Sequence, residues 1–383
     1  MVTKVMHYVN DAVQSSDNAT YRLELPNRGA LHSIILKAQC TNGATSARGV
    51  NMLDVIDEVE VIGDGSEVLF SLYPAELEKW SELWQQRELT MVEDQTADSV
   101  QEIVFPIMFG RKVYDPNFWL RLARFSQVTL EVAYSPNIAA DQGFATGTVT
   151  FDVELVITPD DGALNYQGTL VTRRLYSYTT AASGDEEIEI PDQAVIRAIG
   201  NYCYEAAIAD GVDITSIVLE DKSNGNKIFE ADWDDLIHVN RELFGVKVEH
   251  MAVLLLANNE TWASRIGEVL NYSVEEFDTP DATNDAWNIA RVDGIAGDTL
   301  TFALANADIT AGSETLTDQS SDMTLKAVVE GKAPSYFGVI PFTYEDNPNG
   351  WLKTADYGRI VVKQTNGAAG GAAYVSIQEM RRF

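Results

Sequence analysis

The chain has 383 residues, 45% of them apolar and 22% charged, with 58 acidic against 27 basic residues for a formal net charge of −31. That length gives roughly two or three domains with sizeable cores, and no run approaches the ~18 apolar residues of a membrane-spanning helix. The charge repels phosphate backbones and anionic surfaces at long range, so direct nucleic-acid binding is not expected.

Residues 1–19 hold no apolar core segment or small-residue cleavage site, so they read as an N-terminal arm without a secretory signal, on a chain made in the cytoplasm. From Tyr21 the segment YRLELPNRGALHSIILKAQC alternates (Leu23, Leu25), meets Pro26 and resumes, which predicts two strands around a turn. From Ile56 to Trp84 the pattern is strand, polar hairpin turn at Gly63-Asp64-Gly65-Ser66, strand, helix. The helix has Pro74 near its start and Leu77, Trp80, Leu83 and Trp84 on one face, which reads as core packing. A hydrophobic-proline step at Phe105-Pro106 precedes PNFWLRLARFSQVTLEV at Pro116. A last alternating strand follows, with Val149, Phe151, Val153 and Leu155 inward.

The same blocks then return in the same order. EEIEIPDQAVIRAIGNYCYE at Glu186 matches the Tyr21 segment, with Ile188, Ile190 and Pro191 in place of Leu23, Leu25 and Pro26. Ile214 to Phe244 repeats strand, turn at Ser223-Asn224-Gly225-Asn226, strand and helix. Here the helix carries Trp233, Leu236, Ile237, Leu243 and Phe244, then Gly245 at the cap position. PNGWLKTADYGRIVVKQ at Pro348 shares five of seventeen positions with the Pro116 block, against about one expected by chance. Val375 and Ile377 close the series. Four blocks in one order imply a duplicated domain.

The copies differ in one respect. Val246 to Ser335 is an insertion of fifteen acids against five bases, strand-like at Val253 to Leu256, Thr299 to Leu304 and Met323 to Val329. A polar excursion of that length makes a surface subdomain or functional loop. The boundaries read as arm 1–19, first domain 20–157, linker 158–185 and second domain 186–383 with insertion 246–335. Short alternating strands with one helix per half predict an all-β architecture of two tandem eight-stranded jelly-roll sandwiches, each helix lying between the fourth and fifth strand.

This layout, carried by the paired blocks at Tyr21/Glu186, Ile56/Ile214 and Pro116/Pro348, resembles the double jelly-roll major capsid proteins of adenoviruses and tailless membrane-containing phages. The resemblance covers about Thr20 to Phe383. It implies a structural virion protein, not an enzyme, built into an icosahedral shell as pseudo-hexagonal homotrimers. It also implies neighbouring capsomers, vertex (penton) and minor capsid proteins as partners, and an internal lipid membrane where the virus has one. The insertion 246–335 would be an outward tower, and the arm with Lys4 and Met6 would face a membrane or a neighbouring capsomer.

Chemistry is nearly absent from the pattern. His7, His32, His238 and His250 are scattered, with no HExxH, GxSxG, P-loop or GxGxxG; Gly63-Asp64-Gly65 lies in a hairpin, and His32 reads as a packed side chain. Cys40 and Cys203 have no metal or redox spacing and read as buried free thiols. Asp160-Asp161 and Asp234-Asp235 lack the ligand alternation of a calcium loop. No catalytic, cofactor or metal residue is assigned. Sequons at Asn18, Asn259 and Asn271 matter only on a secreted chain. Two alternatives use the same scaffold: a peptide-N-glycosidase-like hydrolase with acids in the cleft between paired jelly rolls, and a carbohydrate-binding surface protein with Trp262 and Trp287 as sugar platforms.

Overall fold

The computed structural model describes residues 6–44, 50–85, 88–139, 143–159, 165–205, 210–245, 247–256, 262–263, 269–278, 287–296, 299–306, 324–342 and 347–383; the side chains of 251–327 lie outside the description. The first sandwich contains β1 (Met6–Gln14), β2 (Ala19–Glu24), β3 (Ala30–Thr41), β4 (Ile56–Gly63), β5 (Glu67–Leu72), β6 (Val100–Met108), β7 (Val128–Tyr134) and β8 (Val149–Thr158). One sheet has the order β1-β8-β3-β6 and the other β2-β7-β4-β5, the jelly-roll interleaving that makes first and last strands neighbours. Alternation places Val149, Phe151, Val153 and Leu155 of β8 at 0% exposure in the core between the sheets.

The second sandwich repeats this order. It contains β9 (Thr169–Thr179), β10 (Gly184–Glu189), β11 (Val195–Tyr204), β12 (Ile214–Asp221), β13 (Asn226–Asp232), β14 (Phe337–Pro341), β15 (Ile360–Asn366) and β16 (Ala372–Arg381). Its sheets run β9-β16-β11-β14 and β10-β15-β12-β13. Ile188, Ile199, Leu219, Val362, Val375 and Ile377 fill the space between them. The fold is a double jelly roll.

Among the described residues three α-helices accompany the strands: α1 (Met52–Val55), α2 (Pro74–Gln85) and α3 (Trp233–Phe244). The short α1 starts on a capping box, Asn51 accepting from the Leu53 and Asp54 amides while Asp54 reaches back to the Asn51 amide. Helix α3 stops at Gly245, whose φ of 81° suits glycine.

The boundaries differ from those expected at two places, for one reason. The supposed arm contains β1, paired with β8 from Met6↔Ile157 to Gln14↔Val149, so the first roll starts near residue 6 and not at 20. The supposed linker 158–185 contains β9, paired with β16 from Thr169↔Arg381 to Thr179↔Ala372, so the second roll starts near 169 and not at 186. Each helix consequently follows the fifth strand of its roll and not the fourth. Both missed strands lack clean alternation: on β1 the outward Val9 and Val13 are 58% and 63% exposed. Within the insertion, Lys247–Leu256, Thr324–Ala333 and Val269–Asp278 form one three-stranded sheet. Trp262–Ala263, Thr299–Asn306 and Trp287–Ala296 form another.

All connections from third to sixth strand fall at defined ends. The turns 25–29, 64–66, 109–127, 190–194 and 222–225 and the segment 347–359 share one end, here the base, with the starts of β1 and β9 and the ends of β8, β14 and β16. The insertion leaves from the opposite end, between α3 and β14. At the base the repeated blocks meet. Trp119 and Trp351 are 0% and 3% exposed, and Phe118, where the second copy has Gly350, reaches the Trp351 ring at 5.5 Å among Leu170, Val195 and Met380. Each block plugs its own roll, and together they seal the seam.

Neither indole Nε1–H has a hydrogen-bond partner, so the tryptophans contribute packing alone. Trp119→Ala and Trp351→Ala should each cost about 3–5 kcal/mol in urea unfolding, whereas the Phe variants should cost less than half of that. An Ala cost below ~1 kcal/mol would contradict the core placement.

Candidate assembly surfaces

The rolls are joined by backbone and by one helix. Strand β5 pairs parallel with β9 at Phe70↔Thr172 and Ser71↔Arg173, which makes β2-β7-β4-β5 and β9-β16-β11-β14 one continuous sheet with both bases at the same end. So few ladder bonds need support from side chains, and α2 supplies it. Trp80, 3% exposed, donates from Nε1 to Ser376 Oγ on β16 at 2.9 Å and meets Phe337 of β14 edge-on at 5.5 Å. Gly200 of β11 makes room, since a Cβ there would lie 2.7 Å from both the Trp80 and Phe337 rings. Beside it the Arg197 guanidinium lies 3.7 Å over Trp84. Burying one indole this way contributes about 5 kcal/mol of apolar transfer.

A charged cluster crosses the same seam. Arg174 of β9 bonds Glu58 at 2.6 Å, sits 3.4 Å over the Tyr73 ring and approaches Glu76 of α2 at 3.6 Å. Glu76 is fully buried and also accepts from the Tyr73 amide at 3.3 Å. Burial pushes its carboxyl up to about 7, against the opposing pull of Arg174 and the Tyr73 N–H. At the base end of the seam Arg381 pairs with Glu67 of β5 and with Glu379.

Among the described residues the equivalent surfaces, one on each roll, are left uncovered. Helix α3 packs Leu236 and Ile237 onto its own roll over Gly338, and Asn240 donates to the Val339 carbonyl at 2.8 Å and accepts its amide at 2.6 Å. Its outward residues Asp234, Asp235, His238, Val239 and Glu242 are exposed, whereas α2 is buried from Glu76 through Leu83. Strand β13 ends its sheet as β5 would without β9. Strand β1, the counterpart of β9, is also a sheet edge and exposes Val9 and Val13. One junction is complete, and its two halves exist again unpaired.

The residues weighed for chemistry stand apart. His32 is buried and bonded to the Asp115 carbonyl at 3.0 Å and Thr158 Oγ1 at 2.9 Å, a structural role. His238 is on the exposed face of α3, and His250 meets Glu88 at 2.8 Å and Glu330 at 3.6 Å. Both cysteines are buried free thiols, with Cys40 pushed up to about 12 by burial and Cys203 raised by the same cause. Among the described residues no group of three His, Cys, Asp or Glu could hold a metal ion. Asn18 is exposed, and Asn271 lies on a strand of the insertion. Asn259, Asp160 and Asp161, and the side chains of Trp262, Trp287 and His7, lie outside the described residues.

Because Glu76 holds its proton better folded than unfolded, its contribution to stability is present at low pH and is lost as pH rises from its ordinary 4.5 toward about 7. Glu76→Gln should therefore gain in Tm relative to the parent as pH rises from about 5 to about 8; a gap that is constant with pH would rule out this assignment. Gly200→Val should cost at least ~1–3 kcal/mol through overpacking against Trp80 and Phe337, read by urea unfolding.

No protein-family model and no curated protein matches the sequence. Solved structures do. The chain is similar to the major capsid protein (MCP) of STIV, the Sulfolobus turreted icosahedral virus, at TM-score 0.55 and 9% identity, covering 98% of this chain and 96% of that one. It is similar to the PBCV-1 virus capsid protein at TM-score 0.54 and 10% identity, covering 99% and 94%. Strand order and end-to-end coverage together give this chain the double jelly-roll fold of those viral major capsid proteins.

Proposed function

We propose that the chain is the major capsid protein of an icosahedral virus, with three copies forming a pseudo-hexagonal capsomer. The observation that carries this reading is the unequal use of two equal halves. Inside the chain, β5 and α2 of the first roll close against the β9-β16-β11-β14 sheet of the second. The matching donor surface, β13 with α3, and the matching acceptor surface, the β1-β8-β3-β6 sheet, remain uncovered. Two further copies fill them, one at each surface, by the contact already in use. Such a head-to-tail contact closes on itself when six rolls, and therefore three chains, complete the circle. The end-to-end likeness to the STIV and PBCV-1 capsid proteins supports the same reading.

A hexagonal outline gives each capsomer six neighbours, so further partners are other capsomers, vertex proteins and minor capsid proteins of a virion shell. The insertion 246–335 leaves from the end opposite both bases, which suits an outward tower. No chemical step is assigned, and the role is structural.

The purified chain should run at three times 42.2 kDa, about 127 kDa, by light scattering at micromolar concentration. A stable monomer there would overturn the proposal. Val239→Asp on α3 and Val13→Asp on β1 each place a charge on one uncovered half. Either should give monomers with an unchanged circular dichroism spectrum, and trimers from both would refute the assigned contact.

A further inference from the structure

The completed junction and its uncovered counterpart share one strand register. In each central strand a residue is bulged out just past the paired blocks: His32 of β3 beyond Leu31↔Leu120, and Arg197 of β11 beyond Ile196↔Leu352. Three residues on from these bulges stand Ile35 and Gly200. The row Arg174↔Ser376↔Gly200 across β9, β16 and β11 therefore has Val9↔Glu154↔Ile35 across β1, β8 and β3 as its counterpart. Helices α2 and α3 are both twelve residues long, so Glu76 and Trp80 correspond to Asp235 and Val239. The buried positions agree, Leu77 with Leu236 and Ser81 with Asn240.

Shape carries over from one junction to the other. Where Trp80 needs Gly200, the smaller Val239 faces the larger Ile35, and the volume is made up from the opposite side. Charge does not carry over. Within the chain the Glu76 carboxyl faces the Arg174 guanidinium at 3.6 Å and the Ser376 hydroxyl. At those two places the first roll has Val9 and Glu154, so Asp235 would meet an apolar side chain and a second carboxylate.

The surroundings share this excess of acid. Among the described residues β1, β8, β3 and β6 turn Asp11, Asp152, Glu154 and Glu102 outward against Lys37, whose ammonium already lies 2.6 Å from Asp152 and 3.9 Å from Glu102. Helix α3 adds exposed Asp234 and Glu242, while its Arg241 is turned to the Lys332 carbonyl at 3.4 Å. Like charges brought into contact oppose association, and salt relieves that opposition by shortening the screening length.

We propose that ionic strength governs the contact between copies: Asp235 of one copy docks on Glu154 of the next, so trimers loosen in dilute salt and tighten as salt rises. This rests on the capsomer reading and adds the condition under which its contact closes. The direction is opposite to that of an interface held by ion pairs. The junction inside the chain has Arg174 in place, so the two rolls stay joined when copies separate.

The full chain is followed by light scattering at constant pH from about 0.01 M to about 1 M sodium chloride, over which the screening length falls from ~30 Å to ~3 Å. The protein concentration at which trimers dissociate should fall at least about tenfold over that range. Asp235→Asn with Glu154→Gln should trimerise in dilute salt and lose most of the slope. Glu154→Arg or Asp235→Arg alone, each recreating the pairing of Glu76 with Arg174 across copies, should reverse the slope, and the two together should restore the parent's direction. A net charge of −31 on each copy acts in the same direction as the local contact. Asp192→Asn with Asp356→Asn, exposed acids of the base, separates the two causes and should keep the parent slope, with thermal melts verifying that every variant folds. Trimers whose dissociation is unchanged by salt, or promoted by it, would overturn this proposal and leave the capsomer reading standing. Monomers at every salt concentration would overturn both. Equal slopes in the junction and base variants would assign the effect to total charge and refute the contact of Asp235 with Glu154.

Discussion

A seam only two residue pairs wide in its backbone hydrogen bonding holds two sandwiches in one sheet, and the buried face of α2 makes that seam stable. Trp80 is central to it. Its ring needs the missing Cβ of Gly200, its Nε1–H needs Ser376, and its edge needs Phe337, residues that stand more than a hundred positions away in sequence. These contacts merge the first core with the outer face of the second roll, since Ala198, Tyr202, Phe337 and Val339 belong to the same apolar cluster as Leu36 and Phe151. The continuous sheet, the common base and the opposed exit of the insertion all follow from this contact.

Much of the architecture is legible in the amino-acid pattern. The paired blocks at Tyr21/Glu186 and Ile56/Ile214 fold as equivalent strand pairs, and the inward residues of β8 and β16 are buried as alternation predicts. What escaped detection is β1 and β9. One face of β1 is the uncovered Val9 and Val13, while β9 turns Arg174 toward a buried carboxylate instead of presenting a hydrophobic residue there. A strand whose outer face serves another roll, or stands uncovered and apolar, cannot show the apolar-polar alternation of a strand facing water.

The assembly surfaces were illegible for a related reason. The Trp80 and Trp233 stripes look alike in sequence, and both are core. Only the fold reveals that α2 is also covered on its remaining sides, while α3 exposes Val239 among acids. Sequence spacing records what lies on one face of one element. It holds no record of which elements become neighbours.

Asn240 has a meaning beyond its own helix. Its carboxamide offers Val339 one acceptor and one donor, the pair a further strand would supply, and so terminates the long ladder at β14. A β-edge left unsatisfied is a template for runaway polymerisation. A side chain that impersonates the missing strand removes that template at the cost of a single residue.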